Sequence, residues 1–427
     1  MHDPLDLHDL VSDELRQRRE SGYAIDLTED QLGTRDLASL YAELVATTPT
    51  AGWPYDEPSD LATILERLPT RSTADDPPRA ADPDRVLGGW LGRIAGCNLG
   101  KPIENGDHWT PERIRSYLEL SGAYPLRDYV PVLDPMPEDY RLLDCWTETT
   151  RGRIDGSARD DDIDYAILAV HLLEQHGRSL TPDHTAEAWL GHLPYLRVYT
   201  AERAVYAGLL QGVPVADVAD TRNPYREWIG ALIRADAYGW VLPGRPRAAA
   251  TLAYADASLS HRANGIYGAM WAAALVASAG RADSVDQVVD EALTCVPART
   301  RLHEALVGVR ELHRGGAAWD DALDDIRRRH GHYSWVHTVN NACLIAAGLL
   351  WGDGDFAASV GLTVQGGWDT DSNGATAGSV VGTLIGAARL PERFVQPLHD
   401  RTRSALFGYD NSRISDLALR TLRLSEV

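Results

Sequence analysis

An acidic turn near the end of the chain has the composition of a metal site. The segment GGWDTDSNGATAG, residues 366–378, places Asp369, Asp371 and Ser372 in a glycine-flanked turn that leads into small and apolar residues. Such a run is typical of buried core, where unpaired carboxylates are costly. No lysine or arginine lies within several residues on either side, so an external cation is the simplest neutraliser. Carboxylate and hydroxyl oxygens favour Mg²⁺, Mn²⁺ or Ca²⁺ over zinc.

A second acidic cluster lies in SARDDDIDY, residues 157–165, where Asp160, Asp161 and Asp162 are consecutive. An amphipathic helical pattern begins just after them. Aspartates at a helix N-terminus cap free N–H groups and interact favourably with the helix dipole, so this segment alone is more typical of a solvated cap. Together with the acidic turn it could form a binuclear site, with two cations about 3.5–4 Å apart. The residues alone leave both interpretations open.

The third chemical element is the glycine-rich segment GGWLGRIAGCNLGKPIENG, residues 88–106. Its glycines fit neither the GxGxxG nor the GxxxxGK[ST] pattern of nucleotide-binding loops. The segment instead predicts a helix of small residues that breaks at Lys101 and Pro102, with Glu104 in an exposed loop just beyond. Taken alone, Glu104 is typical of an ordinary surface glutamate.

In their order along the chain, these three segments resemble the motifs of the ADP-ribosylglycohydrolase family. GGWLGRIAGCNLGKPIE is similar to the pattern G-x-x-x-G-x-x-x-G-D-A-L-G-x-P-x-E, with Glu104 in the glutamate position and Asn98 as a departure. The aspartate run is similar to [TE]-D-D-T, with Asp160 in the first position and Ile163 in place of the last threonine. GGWDTDS is similar to G-G-D-T-D-[TS] with Trp368 inserted. The resemblance covers roughly residues 85–390, most of the chain.

The resemblance implies a metal-dependent glycosyl hydrolase that acts at the anomeric carbon of a ribose. It implies two divalent cations, Mg²⁺ or Mn²⁺, which orient a water molecule and lower its pKa. Glu104 and Asp161 are the implied catalytic carboxylates, and the loop position of Glu104 suits a mobile lid. The implied metal ligands are Asp160, Asp161, Asp162, Asp369, Asp371 and Ser372.

Polar residues at the starts of two small-residue helices are candidates for binding the substrate. The candidates are His261, Asn264, Tyr267, His337, Asn340 and Asn341, together with Trp368 beside the acidic turn. Each polar residue alone is more typical of a helix cap or a satisfied core position, and Trp368 could simply fill core.

The implied partner is an ADP-ribosylated protein or a small-molecule ribosyl conjugate, from which ADP-ribose is released. Two alternatives stay open. One is an N-ribosyl hydrolase that acts on a small riboside in secondary metabolism or nucleotide salvage. The other is a catalytically silent binding relative, against which the six retained oxygen ligands argue.

The elements that must position these residues are helical. Helix-length apolar patterns cover residues 162–177, 265–280, 340–352 and 373–390, and no convincing series of alternating strands is present. The last three patterns are rich in alanine and glycine, which is typical of helices buried among other helices. We therefore expect an all-α fold, a compact orthogonal multi-helix domain that holds a binuclear metal site.

The chain is predicted to have two parts. Residues 1–84 form an N-terminal helical extension that ends in a linker-like stretch at 72–84, rich in Pro, Asp and Ala. Residues 85–427 form the catalytic domain. The extension could cover the active site, mediate assembly or remain a solvated appendage.

Composition limits the partners and the compartment. The 427 residues are 44% apolar and 24% charged, as in soluble globular proteins, and their net charge of −21 disfavours nucleic acid and anionic membranes. The four cysteines form no CxxC pair, so they indicate neither a zinc site nor a disulfide framework. The N-terminus does not resemble a signal peptide, and no apolar run is long enough to span a membrane. We expect a cytoplasmic protein, and its oligomeric state stays open.

Overall fold

Helices dominate the structure, a computed structural model that describes residues 3–27, 29–70 and 80–425. The all-α prediction is confirmed. The α-helices are α1 (Leu7–Glu20), α2 (Glu29–Leu32), α3 (Leu37–Ala46), α4 (Leu61–Arg67), α5 (Pro83–Gly100), α6 (Pro111–Leu120), α7 (Trp146–Thr149), α8 (Asp161–His176), α9 (Pro182–His192), α10 (Thr200–Leu210), α11 (Val215–Val218), α12 (Asp236–Trp240), α13 (Pro246–Ala257), α14 (Asn264–Ala279), α15 (Val285–Leu293), α16 (Arg301–Arg314), α17 (Trp319–His330), α18 (Thr338–Gly352), α19 (Phe356–Gln365), α20 (Thr370–Ile385), α21 (Glu392–Val395) and α22 (Ile414–Ser425). Short 3-10 helices cover Lys101–Ile103, Gly177–Ser179, Tyr195–Arg197, Ile229–Arg234, Ala387–Arg389 and Gln396–Leu398. Two-residue strands, β1 (Arg401–Thr402) and β2 (Ser412–Arg413), pair antiparallel.

The centre of the fold is an antiparallel pair of helices, α5 and α20, packed through glycines. A Cβ atom on Gly92 would collide with the carbonyl oxygen of Gly378, and one on Gly96 with the carbonyl oxygen of Gly374. Their four-residue spacing puts these glycines on one face of each helix, so the two backbones approach closely. The pairing sets the C-terminal end of α5 beside the N-terminal end of α20.

Three other helices lie where the apolar patterns predict them. The pattern at 162–177 corresponds to α8, which ends at Gly177 with a φ of +55°. The patterns at 265–280 and 340–352 correspond to α14 and α18. Every residue of α14 is buried, as expected for a helix that is apolar on all faces and lies among other helices.

The N-terminal region has a small hydrophobic core of its own and also joins the main one. The small core consists of Val11, Leu15, Leu27, Leu32, Leu40 and Leu44. Ile64 of α4, in contrast, belongs to the main core. Residues 71–79, which contain most of the predicted linker at 72–84, lie outside the described residues. The division of the chain at residue 84 therefore stays a prediction.

Two further expectations concern membranes and disulfides. Among the residues that the structure describes, no helix has both the length and the hydropathy of a membrane span. The four cysteines all lie in the described ranges and form no disulfide.

Candidate metal and active site

A cavity of about 360 Å³ lies where the end of α5 meets the starts of α8 and α20. Acidic side chains form much of its wall, with the hydroxyl-bearing Ser372 beside them. The acidic side chains are Glu104, Asp161, Asp162, Glu202, Asp369 and Asp371. The structure therefore brings the glycine-rich segment, the aspartate run and the acidic turn into one site, although more than 200 residues separate the first from the last.

The acidic turn is fixed by contacts with α5 and α18. The hydroxyl of Thr370 donates to the carbonyl of Gly100 at 2.9 Å, which ties the start of α20 to the end of α5. The side-chain oxygen of Asn341 accepts from the backbone N–H of Asp369 at 3.3 Å and from the amide of Asn373 at 2.7 Å. Asn341 thus holds the turn that carries the acids, whereas its proposed contact with substrate stays a prediction.

The start of α8 is tied to both neighbouring helices. Asp160 caps α8, because its carboxylate accepts from the backbone N–H of Asp162 at 2.9 Å. Asp162 in turn accepts from the hydroxyl of Ser372 at 3.1 Å and lies 3.4 Å from the guanidinium of Arg93. Asp160 therefore caps the helix, and Asp161 and Asp162 line the cavity.

Two groups of potential metal ligands lie side by side. Carboxylate oxygens of Glu104, Asp369 and Asp371 all lie within 4.8 Å of one another. Ligand atoms of Cys97, Asp160, Asp162 and Asp371 meet the same limit. The two groups share Asp371.

Burial makes the ionised carboxylates costly. It raises the pKa values of Glu104, Asp162 and Asp369 well above their usual range, and the neighbouring Asp371 raises them further. Carboxylates in such a position need cations to remain ionised. Burial also raises the pKa of the Cys97 thiol well above its usual value, and every other potential ligand in the two groups is a carboxylate oxygen. Carboxylate oxygens fit Mg²⁺, Mn²⁺ or Ca²⁺.

The site also contains a cation that the linear sequence around the acidic turn does not show. The ammonium of Lys101 pairs with Asp160 and lies 4.0 Å from a carboxylate oxygen of Asp371. The residues that flank the acidic turn suggested an external cation as the simplest neutraliser. The ammonium of Lys101 also neutralises part of the carboxylate charge. Arg93 is shared between Asp162 at 3.4 Å and Asp236 at 2.7 Å, and Arg159 pairs with Asp164 outside the two groups. Among the described residues this leaves Glu104 and Asp369 without an ion-pair partner.

Glu104 is half-buried and lines the cavity, which differs from the exposed loop that the sequence predicts. The cause is the short 3-10 helix Lys101–Ile103, which continues from α5 and turns the chain inward. The backbone N–H of Leu143 also donates to the carbonyl of Pro102 at 2.9 Å and holds this turn. Glu104 therefore belongs to the acidic site in position as well as in motif.

The structure does not bring the other substrate-binding candidates to the cavity wall. His261 is buried and bonded to Ser260, and Asn264 donates to Glu227 at 2.8 Å. The hydroxyl of Tyr267 donates to the carbonyl of Pro58. Asn264 and Tyr267 thus bond to other parts of the protein, whereas Nε2 of the His261 ring is buried without a hydrogen-bond partner among the described residues. The role of all three in substrate binding stays a prediction.

The candidates at the start of α18 and beside the acidic turn also lie outside the residues that line the cavity. Nε2 of His337 and the side-chain oxygen of Asn340 are buried without a hydrogen-bond partner among the described residues. His337 caps α18 by accepting from the N–H of Val339 at 3.1 Å, and burial lowers its pKa to about 3. The amide of Asn340 donates to the carbonyl of Ser334 at 3.0 Å. The ring of Trp368 is buried and lies under the guanidinium of Arg327, 5.4 Å from the ring centroid.

The rest of the cavity wall contains mainly apolar and aromatic residues that no sequence pattern indicates. They include Tyr199, Trp228, Ile229, Gly230, Ile233, Trp335 and Val336. Two segments of this wall are bonded to each other, since the N–H of Ile229 donates to the carbonyl of Val336 at 2.9 Å. These residues match no motif, and only the fold brings them together.

Comparison with known proteins adds the following findings. The family model described as ADP-ribosylglycohydrolase matches residues 78–426. No curated protein matches. A solved structure titled "ADP-ribosylglycohydrolase-related protein complex" is 18% identical, covers 80% of this chain and 98% of its own, and has a TM-score of 0.48. The family match is the finding that bears on the site, because it includes all three acidic and glycine-rich segments.

Proposed function

Because the chain belongs to the ADP-ribosylglycohydrolase family, a family of glycosyl hydrolases, we propose that it hydrolyses a glycosidic bond at the anomeric carbon of a ribose. The observation that carries this proposal is the pair of acidic ligand groups that share Asp371. An acidic pocket of this kind suits a transition state in which the sugar becomes positively charged.

Two divalent cations, Mg²⁺ or Mn²⁺, are proposed as the cofactors. The residues that would hold them are Asp160, Asp161, Asp162, Asp369, Asp371 and Ser372. The chemistry that such cations supply when bound is Lewis-acid activation of water. The remaining steps depend on the side chains of this chain.

Glu104 and Asp161 are the proposed catalytic carboxylates. They come from different elements, since Glu104 follows α5 and Asp161 begins α8, and both line the cavity. A ribose bound between them would have a carboxyl group near its leaving group and another near the attacking water. The aromatic wall formed by Trp228 and Trp335 would exclude bulk water from the reacting bond and stack on a planar leaving group.

The proposed substrate is an ADP-ribosylated protein or a small ADP-ribosyl conjugate, in line with the family. One observation favours the alternative of a small riboside. The two basic side chains that line the cavity, Lys101 and Arg159, already pair with Asp160 and Asp164. A pyrophosphate needs cationic or N–H donors, and a small neutral riboside does not.

Turnover assays can test the proposal. Purified protein is incubated with Mg²⁺, Mn²⁺ or EDTA, and with ADP-ribosyl-arginine, ADP-ribosyl-serine or simple ribosides, and products are followed by mass spectrometry. Asp369→Ala and Asp371→Ala should abolish cation-dependent release. Asp321→Ala, at an exposed position of α17, is the matched control and should retain activity. Release of ADP-ribose supports the first substrate class, and release of free ribose or base supports the second. Absence of any turnover, together with no cation binding, would overturn the proposal.

A further inference from the structure

The tryptophan-bearing wall of the cavity consists of two chain segments held together by backbone hydrogen bonds. Trp228 and Ile229 belong to one segment, and Trp335 and Val336 to the other. The N–H of Ile229 donates to the carbonyl of Val336 at 2.9 Å, and residues 228 and 337 form an antiparallel bridge. The position of the two tryptophan rings therefore depends on what fixes these segments from behind.

A buried ionic cluster lies behind this wall, and we call it the Glu227 node: Glu227, Arg301 and Glu57. Glu227 directly precedes Trp228 in the chain, and its backbone carbonyl accepts from the N–H of Thr338 at 3.1 Å. Arg301 lies 2.7 Å from a carboxylate oxygen of Glu227 and 2.7 Å from one of Glu57. Glu227 and Arg301 are each 4% exposed. Buried charges of this kind are stable only when their partners are held in place.

Much of what holds the node in place comes from the N-terminal region. The amide of Gln17 and the hydroxyl of Ser21 donate to one carboxylate oxygen of Glu227 at 2.8 and 2.9 Å. Glu57, the third member of the node, also precedes residue 78, where the family match begins. The family match thus omits residues that satisfy the charge behind the cavity wall.

The same region also fixes the second segment of the wall. A carboxylate oxygen of Glu20 accepts from the backbone N–H of Ser334 at 2.7 Å, directly before Trp335. The carbonyl of Glu20 accepts from Arg301 at 2.9 Å. The end of α1 and the residue after it therefore contact both segments. Gln17 and Ser21 bond to Glu227, which precedes the first segment, and Glu20 bonds to Ser334, which precedes the second.

The Glu227 node also binds Asn264, a residue that the sequence indicates as a candidate for substrate contact. Its amide donates to Glu57 at 2.9 Å and to Glu227 at 2.8 Å. The carbonyl oxygen of the same side chain accepts from the N–H of Leu302 at 3.0 Å. All of its hydrogen-bonding groups face the node, so it acts behind the wall.

We propose that the N-terminal region is a positioning part of the active site, and that Glu57 and Gln17 act through Glu227 and Arg301 to hold the Trp228–Trp335 wall against the substrate. The inference rests on the proposed function, because the wall matters for catalysis only if the cavity binds the substrate. Glu57 and Gln17 are positioning residues and contact no reacting atom.

The first test measures the wall without using activity. Hydrogen–deuterium exchange is followed by mass spectrometry in peptides that contain the amides of Ile229 and Thr338. Glu57→Gln removes one charge of the node at nearly unchanged size, and exchange of both amides should become faster. Glu43→Gln is the matched control: it makes the same exchange of residue type in the exposed Arg35–Glu43 ion pair of the N-terminal region, does not touch the node, and should leave these amides protected. Equal protection in Glu57→Gln and the wild type would overturn the inference.

The second test separates binding of substrate from binding of metal. Misplacing a wall that orients the substrate should lower kcat/KM on the order of 10²-fold, with most of the effect in KM. Mn²⁺ affinity, measured by calorimetry, should stay unchanged, because the acids lie just after α5 and at the starts of α8 and α20 and do not belong to the two wall segments. Gln17→Ala should also lower kcat/KM mainly through KM and leave Mn²⁺ affinity unchanged, with a smaller effect than Glu57→Gln.

Faster exchange with unchanged kcat/KM would also overturn the inference. A wild type without turnover would overturn the proposed function, and the exchange experiment would then still decide whether the node fixes the wall.

Discussion

At the scale of single residues, Lys101 changes how the acidic site should be understood. Its ammonium lies beside the group that contains Cys97, paired with Asp160 and 4.0 Å from the shared Asp371. It partly neutralises the carboxylates before any cation binds, and like charges at this distance repel. The protein therefore holds its acids together without metal at the expense of metal affinity.

Replacing Lys101 by methionine tests this role. Lys101→Met keeps the length of the side chain and removes its charge, so Mn²⁺ should bind roughly tenfold more tightly, a modest part of the repulsion expected at this distance. Isothermal calorimetry at constant ionic strength measures the change. Arg115→Met is the control, because Arg115 is exposed on α6, pairs with Glu119 and Asp320 and does not line the cavity. Weaker Mn²⁺ binding in Lys101→Met would mean that the ammonium mainly orients Asp160 and does not compete with the cation.

The individual residues also show where sequence reasoning succeeds and where it does not. Residues within one motif, such as Asp369 and Asp371, meet in space because a single turn carries both. The pairing of Lys101 with Asp160 depends on how α5 packs on α8, and no local pattern encodes that packing. His337 and Asn264 have the residue types of ligand contacts, but His337 caps a helix and Asn264 bonds to the Glu227 node. Polar residues at helix starts cannot be assigned until their partners are known.

At the scale of elements, the glycines of α5 and α20 decide the geometry of the site. The sequence shows their four-residue spacing and predicts buried helices, but it does not show that the two helices face each other. The helix α20 also ends at Ile385, before the end of the apolar pattern at 373–390, because Gly386 adopts a φ of +83°. Periodicity thus predicts the existence of a helix better than its end or its neighbour.

A substitution at the crossing of α5 and α20 tests this geometry. In Gly96→Ala the new methyl group would collide with the carbonyl of Gly374, so the helices must separate. We expect unfolding to be easier by about 1–3 kcal/mol and Mn²⁺ binding to weaken, since Glu104 follows α5 while Asp369 precedes α20. Calorimetry and thermal unfolding measure the two effects.

The control for this substitution is Gly308→Ala in α16, where an added methyl group meets nothing within 4 Å. Alanine favours helix over glycine by about 1 kcal/mol, so this variant should be at least as stable as the wild type and bind Mn²⁺ normally. If Gly96→Ala behaved in the same way, the glycine crossing would not be what positions the acids.

At the scale of the whole molecule, metal binding and folding should be coupled. The ligands come from three elements that are distant in sequence, so they converge only in the folded chain. A cation that binds the folded state alone stabilises it by about 2.7 kcal/mol at a concentration one hundred times its Kd. Thermal unfolding with and without Mn²⁺ therefore reports on the site without any assumption about the substrate.

The number of cations can be read from the same experiment, because the two ligand groups share one residue. Asp371→Asn weakens both groups and should remove nearly all of the Mn²⁺-dependent rise in Tm. Glu104→Gln affects only the group with Asp369 and Asp371, and Asp160→Asn only the group with Asp162 and Asp371, so each should keep part of the rise and bind one fewer cation by calorimetry. If Asp160→Asn left both the stoichiometry and the rise in Tm unchanged, the group beside Lys101 would hold no cation. The ammonium would then occupy the place of the second cation, and the site would be mononuclear.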